Sequence, residues 1–393
     1  MLSPETISFI SAHLTDDVAA LSLKGGGTLP HADFQSALAQ IKARQAIRAK
    51  LPSWYENMQL ELPVQLSVEQ SSSERTASFK ASLFAEKKGV LVDLTGGMGV
   101  DCSFLSQQFD KTYYVERNAD LCALAQHNFR VLNRQDITVE HTTAEEFLER
   151  MPQVRCIFID PARRSDSGQK VFFLSDCQPD VTKMIDMMLA KSDVVLIKLS
   201  PMLDLKSAVE SLRCVSRVFV VSVDNECKEM LVWAEKNADK TEIEAVNLTK
   251  KGMQRFAFSF DDEQALNLPY AHALSAYLYE PNASVMKAGA FKSVAQAFSV
   301  NKLHPNTHLY TSDRLVADFP GRVFRVKAVS SFSKSDLKKH LGGIKRANLT
   351  VRNFPVSAEK LRAQLKLKEG GEVYLFAATL HDDSRVLVIC EKG

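Results

Sequence analysis

The stretch VLVDLTGGMGVDCSF, residues 90–104, decides how the whole chain is read. An apolar run ends in Asp93, a glycine turn follows, and an apolar segment of helical spacing begins near residue 100. The order is strand, tight turn, helix. Gly97 and Gly99 let the backbone come close to a ligand, Thr95 opens the turn, and the next helix offers its N-terminus. A dinucleotide fingerprint would place a third glycine where Cys102 stands.

Working outward, short apolar runs alternate with helical segments. TYYVE (112–116) precedes ADLCALAQHNFRVL, and ITVEH (137–141) precedes TAEEFLERM. CIFID (156–160) precedes CQPDVTKMIDMMLAKS, VVLIKLS (194–200) precedes DLKSAVESL, and RVFVVSV (217–223) follows. Such alternation predicts a parallel sheet covered on both faces. Asp224 and Asn225 read as a hairpin turn into KEMLVWAE, so the sheet ends in antiparallel style. TEIEAVNL (241–248) and RFAFSF (255–260) continue in that style, so the fold class is α/β: a mostly parallel sheet that ends in antiparallel strands.

Residues 1–86 read as helical. Ser3 caps a first helix that the spacing of Ile7, Ile10, Leu14 and Val18 carries on to the glycines at 25–27. A second helix closes at Pro52, and a third, capped within Ser71–Ser73, runs to Gly89. Residues 263–320 read as a small mixed α/β linker domain, with helices expected at 270–279 and 284–299. From 321 the pattern is strand, helix, strand, helix, strand, strand, a small α+β module. The expected organisation is thus 1–86, 87–262, 263–320 and 321–393.

At 393 residues the chain exceeds one ordinary core, and 45% hydrophobic with 24% charged residues is a globular composition. No apolar stretch approaches the roughly 20 residues of a membrane helix, and the N-terminus shows no signal-peptide pattern. Seven scattered cysteines form no CxxC pair and no zinc spacing, which points to reduced thiols in a cytoplasm and to no metal. Cys102 and Cys156 read as buried bystanders. Net charge is +2, but residues 321–393 hold 15 Lys and Arg against 7 Asp and Glu, while the rest holds 34 against 40. A basic module on an acidic body predicts an anionic partner at that end.

Glu116 closes the second strand, where an acid can hold both hydroxyls of a ribose. Asp93, Thr95, Gly97, Gly99 and Glu116 together suit S-adenosylmethionine: glycines make room for its amino-acid part, one acid lies near its ammonium, another grips its ribose. The exit of the third strand, Thr142, Thr143 and Ala144, is placed to border the adenine. Residues 68–81 (VEQSSSERTASFKA) border the same region, and Glu69, Gln70 and Lys80 are candidates for a lid.

Residues 89–250 resemble the class I S-adenosylmethionine-dependent methyltransferases, which implies a seven-stranded Rossmann-like sheet closed by an antiparallel hairpin. More closely, VEQSSSERTASFKA, DLTGGMGVD, DPARR, KLSPMLD (198–204) and ECKEMLVW resemble a bacterial group of that class with a THUMP-like C-terminal domain. True THUMP domains bind RNA, so the resemblance implies an RNA substrate, tRNA or rRNA.

In this superfamily the fourth-strand tip commonly carries Asp or Asn, two prolines and an aromatic when the target is an exocyclic amine. Here Asp160 and Pro161 are followed by Ala162 and Arg163, so the stacking surface for a flipped base is missing. Carbon-5 uridine chemistry would need a cysteine after the fifth strand, and KLSPMLD has none. Asp160, Pro161 and Arg163 are the candidate catalytic residues. Arg163 and Arg164 read either as a clamp on phosphate or carboxylate or as partners of local acids, with Lys198 adding a nearby cation. Lys338, Lys339, Lys345 and Arg346 head the basic tail and are candidate phosphate contacts. The leading expectation is methyl transfer to RNA near Asp160. A methyltransferase of an anionic small molecule or protein, and a non-catalytic RNA-binding protein that retains the fold, stay open.

Overall fold

The computed structural model describes residues 2–63, 65–163 and 174–393, with the backbone alone at 65–67 and 163. The chain forms two compact units, Met1–Val218 with Glu229–Lys240, and Phe219–Lys228 with Thr241–Gly393.

The first unit opens with helices Pro4–Ala12, Val18–Lys24, His31–Ile47, Pro52–Glu56, Gln65–Gln70 and Glu74–Ser82. Ser3 caps the first, accepting from the Thr6 N–H at 3.1 Å. The single helix expected through Val18 is in fact two. Asp17 takes the Ala20 N–H at 2.7 Å, a side chain competing for the backbone and starting a new helix. The helix expected to reach Gly89 ends at Ser82. Arg44 is fully buried and donates to the carbonyls of Tyr55, Asn57, Met58 and Leu60 at 2.6–3.3 Å. One guanidinium thereby sets the path of the turn after Pro52–Glu56.

Strands β1 (Val90–Asp93), β2 (Lys111–Glu116), β3 (Ile137–His141), β4 (Val154–Ile159) and β5 (Ser192–Leu199) run parallel. After β6 (Val215–Val223), β7 (Glu226–Ala234) returns antiparallel to β5, giving the order β3-β2-β1-β4-β5-β7 in this unit. Asp224 and Asn225 make the turn between β6 and β7, with φ of +48° and +68°, as an Asp-Asn hairpin turn requires. Both faces of the sheet are covered, which is why Leu91, Val92, Cys156, Ile157, Val195 and Leu196 are all fully buried.

Register then fixes where the strands end. Asp93 lies level with Tyr114 on β2 and Phe158 on β4, and Ile159 lies level with Ile197 on β5. The carboxyl ends of four strands therefore bring Asp93, Glu116, Asp160 and Lys198 to one edge.

In the second unit β8 (Glu242–Thr249) and β9 (Gly252–Phe258) pair antiparallel in the order β9-β8-β6, as TEIEAVNL and RFAFSF lead one to expect, and they carry the sheet two strands beyond the seven that the resemblance implies. A seven-stranded sheet follows. Its strands are β10 (Tyr277–Pro281), β11 (Asn301–Lys302), β12 (Tyr310–Ser312), β13 (Gly321–Ser330), β14 (Asn348–Arg352), β15 (Val373–Thr379) and β16 (Arg385–Lys392). Their order is β11-β12-β10-β13-β16-β15-β14. The helix expected at 270–279 gives way to β10, because Leu278 and Tyr279 are both buried in a strand paired on both edges. The helix expected at 284–299 breaks at Gly289, φ +81°, into Ala283–Ala288 and Ser293–Ala297. From 321 onward, helices Lys334–Leu341 and Ala358–Gln364 alternate with strands in the order read from the sequence.

Arg44→Leu should leave its four carbonyl partners without their donor in a partly buried turn. A loss of at least about 3 kcal/mol in urea denaturation is the expected result.

Candidate functional site

A cavity of about 370 Å³ lies over the carboxyl ends of these strands. The glycine turn at 94–100, Glu116 after β2, Thr143 and Ala144 after β3, Asp160 after β4 and Lys198 on β5 all line it. Gln70, Ser71 and Ser72 line it from the N-terminal helical segment.

The turn is held from within. The Gly96 N–H donates to the Val115 carbonyl at 2.9 Å, and the Tyr114 hydroxyl donates to the Gly97 carbonyl at 2.5 Å. A Cβ on Gly96 would sit 2.2 Å from the Tyr114 ring, so this glycine is demanded by packing. Gly97 and Gly99 have φ of +54° and +82°, a left-handed backbone that favours glycine.

Two acids of the edge, Glu116 and Asp93, are oriented by backbone. Glu116 accepts from the Gly97 N–H at 3.0 Å through Oε2 and from the Asn118 N–H at 2.8 Å through Oε1. Asp93 is buried and accepts from the Thr95 N–H at 3.0 Å through Oδ1, while its Oδ2 has no hydrogen-bond partner among the described residues. Burial above all, then the nearby Asp101, Asp160 and Glu116, pushes the Asp93 carboxyl well above the usual carboxylate range. Thr95 accepts from the Asp160 N–H at 2.6 Å and ties the fourth-strand tip to the glycine turn. Thr143 caps the helix Ala144–Arg150, taking the Glu146 N–H at 3.2 Å, with Glu146 bonding back to the Thr143 N–H.

Lys198 is not the free cation that the sequence reading assigns to an anionic substrate. Strand register places it between carboxylates: it is paired with Asp160 Oδ2 and lies 3.4 Å from Asp101 Oδ2. Burial works to lower its pKa, but Asp160 and then Asp101 outweigh that and hold the ammonium above its ordinary range. Asp101 lies 3.1 Å from the Lys80 ammonium and accepts from the Ser72 hydroxyl at 2.7 Å. Burial opposes the charge on Asp101, yet Lys80 and Lys198 keep its carboxyl below the usual range. Lys80 also pairs with Glu229 at 2.6 Å. Lys80, weighed as a lid residue from the sequence, is fully buried in this network, while Gln70 does line the cavity.

Pro161 is buried beside Asp160. The backbone of Ala162 and Arg163 pairs with Gln178 and Cys177. Arg164 and the Arg163 side chain lie outside the described residues. Cys102 and Cys156 are fully buried, and burial pushes both thiols up. Asp101, Ser72 and Glu229 are absent from the sequence reading. The available signal was an acid in the first turn of the helix behind the glycine turn, next to an apolar run.

In the second unit, Lys338 and Lys339 stand in the last turn of Lys334–Leu341, and Lys345 follows it. All three are exposed and make no ion pair among the described residues. Arg346 is exposed but donates to the Glu369 carbonyl at 3.1 Å, joining two loops.

Residues 277–320 match the model of a ferredoxin-like domain, and residues 321–392 match that of a THUMP domain-like family. A crystal structure named "putative methyltransferase" from Porphyromonas gingivalis W83 is 33% identical, with 100% of both chains covered and a TM-score of 0.90. An rRNA methylase from Streptococcus thermophilus is 14% identical over 41% of this chain and 95% of its own, with a TM-score of 0.32. A second "putative methyltransferase", from Streptococcus mutans in complex with S-adenosylhomocysteine, is 16% identical over 41% and 96%, with a TM-score of 0.31. No protein of curated function matches the chain.

The folded-state pKa of Asp93 lies above its unfolded value of 3.8, so the fold takes up a proton there. Stability is therefore lost as pH rises from that value through the folded pKa. Asp93→Asn removes this loss. Its melting temperature should gain on the wild type as pH rises from about 5 to about 8, and a constant difference across that range would contradict the assignment.

Proposed function

The chain belongs to the class I S-adenosylmethionine-dependent methyltransferases, in the bacterial group with a THUMP-like C-terminal domain, and on that premise we propose that it methylates RNA, tRNA or rRNA, beside Asp160. The observation that carries the cofactor half is one cavity walled by the glycine turn, Glu116 and buried Asp93, whose Oδ2 has no partner among the described residues. That oxygen suits a cationic group, and the ammonium of S-adenosylmethionine is one. Glu116, pinned by two backbone N–H groups, would hold the ribose hydroxyls with its remaining lone pairs. Thr95, Gly97 and Gly99 would bound the amino-acid part, and Thr143 and Ala144 the adenine. When bound, the cofactor supplies an electrophilic methyl group on a positively charged sulfur.

The chain's own task is then orientation. Lys198 takes Oδ2 of Asp160, and Oδ1 has no partner among the described residues. The side chain is 37% exposed, so Oδ1 can accept a hydrogen bond from the group to be methylated. Asp160 would thus align its target for an in-line displacement. Pro161 stiffens the chain behind it.

The RNA half rests on Lys338, Lys339 and Lys345, which lie exposed in the THUMP-like segment with no ion pair among the described residues. The alternative, an anionic small molecule or protein clamped by Arg163 and Arg164, loses support because Lys198 is already neutralised by two carboxylates.

Calorimetry should show binding of S-adenosylmethionine and S-adenosylhomocysteine, weakened by roughly 10- to 100-fold in Glu116→Ala. Because the Asp93 carboxyl sits high, pairing with the ligand's ammonium should release a proton, so affinity rises with pH; Asp93→Asn should abolish the proton release. No binding in the wild type would sink the cofactor assignment. For RNA, Lys338→Glu, Lys339→Glu and Lys345→Glu together should reduce the slope of log affinity against log salt by about 2 to 3. An unchanged slope with total tRNA and rRNA would remove the basic tail from the reading.

A further inference from the structure

We propose that Lys80 and Glu229 are positioning residues of the methyl-transfer site, acting through Asp101 and Lys198 on Asp160. The inference rests on the reading of Asp160 given above and extends it to two side chains that do not line the cavity.

The five groups come from five separate stretches of the first unit. Glu229 on β7 pairs with Lys80 of the helix Glu74–Ser82 at 2.6 Å. Lys80 lies 3.1 Å from Asp101 Oδ1, a charge contact without an aligned hydrogen bond. Asp101, behind the glycine turn, lies 3.4 Å from Lys198, which in turn holds Asp160. Ser72 closes the chain, accepting from Lys80 at 3.2 Å and donating to Asp101 at 2.7 Å. The Lys80 side chain is 0% exposed and that of Glu229 4%.

A staple between the helical segment and the sheet would need only the pair Lys80–Glu229. The structure instead has each ammonium shared by two carboxylates, with three carboxylates for two cations. A shared ion rests where two attractions balance, so a change at one end moves the next ion along. Loss of charge at Glu229 lets Lys80 turn wholly to Asp101. Asp101 then pulls less on Lys198, and Lys198 moves toward Asp160. Other groups face Asp160 as well. Asp93 on β1 is a further carboxylate close by, and Thr95 holds the Asp160 backbone. Neither pairs with Lys80. Glu229 attracts Lys198 through space as well as through Lys80 and Asp101, so either way its effect on Asp160 passes through Lys198.

The test reads the lysine ammonium groups of the full chain in proton–nitrogen spectra. Ammonium groups held in buried ion pairs exchange slowly and give visible signals, and Lys198→Arg assigns the one of interest. Glu229→Gln keeps the shape and removes the charge; it should shift or broaden the Lys198 signal, although Glu229 does not touch Lys198. With tritiated S-adenosylmethionine and total RNA as acceptor, the same variant should lose roughly 10- to 100-fold in kcat while KM for the cofactor stays within about twofold. Glu229→Asp, which keeps the charge, should recover most of the rate. If Glu229→Gln does not fold, Lys80→Arg, which keeps the charge and moves its centre, carries the same expectation for the Lys198 signal. An unchanged Lys198 signal in a folded variant overturns the proposal and leaves Lys80–Glu229 a local staple. If the wild type labels no RNA, the RNA reading fails, and the Lys198 signal still decides this one.

Discussion

Parallel register forces like charges together at one edge of the first unit, and most of what distinguishes the site follows from how that is tolerated. Asp93, Glu116 and Asp160 end neighbouring strands, and Asp101 opens the helix behind the turn. The solutions differ for each. Glu116 is stabilised by two backbone N–H groups. Asp101 and Asp160 share Lys198, a largely but not fully buried lysine. Asp93 receives a single N–H and is left with an open oxygen and a raised affinity for a proton. An edge that has used its own cations on two acids and left a third wanting one is suited to a positively charged ligand.

The lysines that make this edge possible are themselves expensive. Taking an ammonium fully out of water costs several kcal/mol, and removing one member of a buried pair typically costs about 3–5 kcal/mol. Lys80 and Lys198 are kept because each meets two carboxylates. That arrangement also makes the N-terminal helical segment part of the site: Gln70, Ser71 and Ser72 line the cavity, and Lys80 anchors the helix that follows them. The segment is a wall of the pocket, held by charge, more than the lid suggested by its composition.

Much of the sheet was legible because period and punctuation are local. Apolar runs closed by turn residues marked β1 to β7, and the Asp-Asn pair marked the hairpin. Errors fell where tertiary pairing overrides local pattern. Residues 277–281 have helical company in sequence but are paired on both edges as a strand. One continuous helical periodicity before residue 24 is cut by the cap at Asp17. Gly97 and Gly99 stand out in the sequence and Gly96 does not, since nothing in the spacing says that a tyrosine ring will lie on it.

The sequence by itself determined which residues stand at strand tips: the carboxylates, the glycine turn and the position of Lys198 are all fixed by alternation and count. It also determined the basic tail, because net charge is a property of composition. Whether a charge at those tips is free or spent was decided only by the tertiary structure. Lys198 reads as a cation for a substrate until strand register sets Asp160 and Asp101 against it, and Lys80 reads as a lid residue until Glu229, 149 positions away, closes on it. Ion pairing depends on distances of a few ångströms between residues far apart in sequence, and no local pattern carries that information.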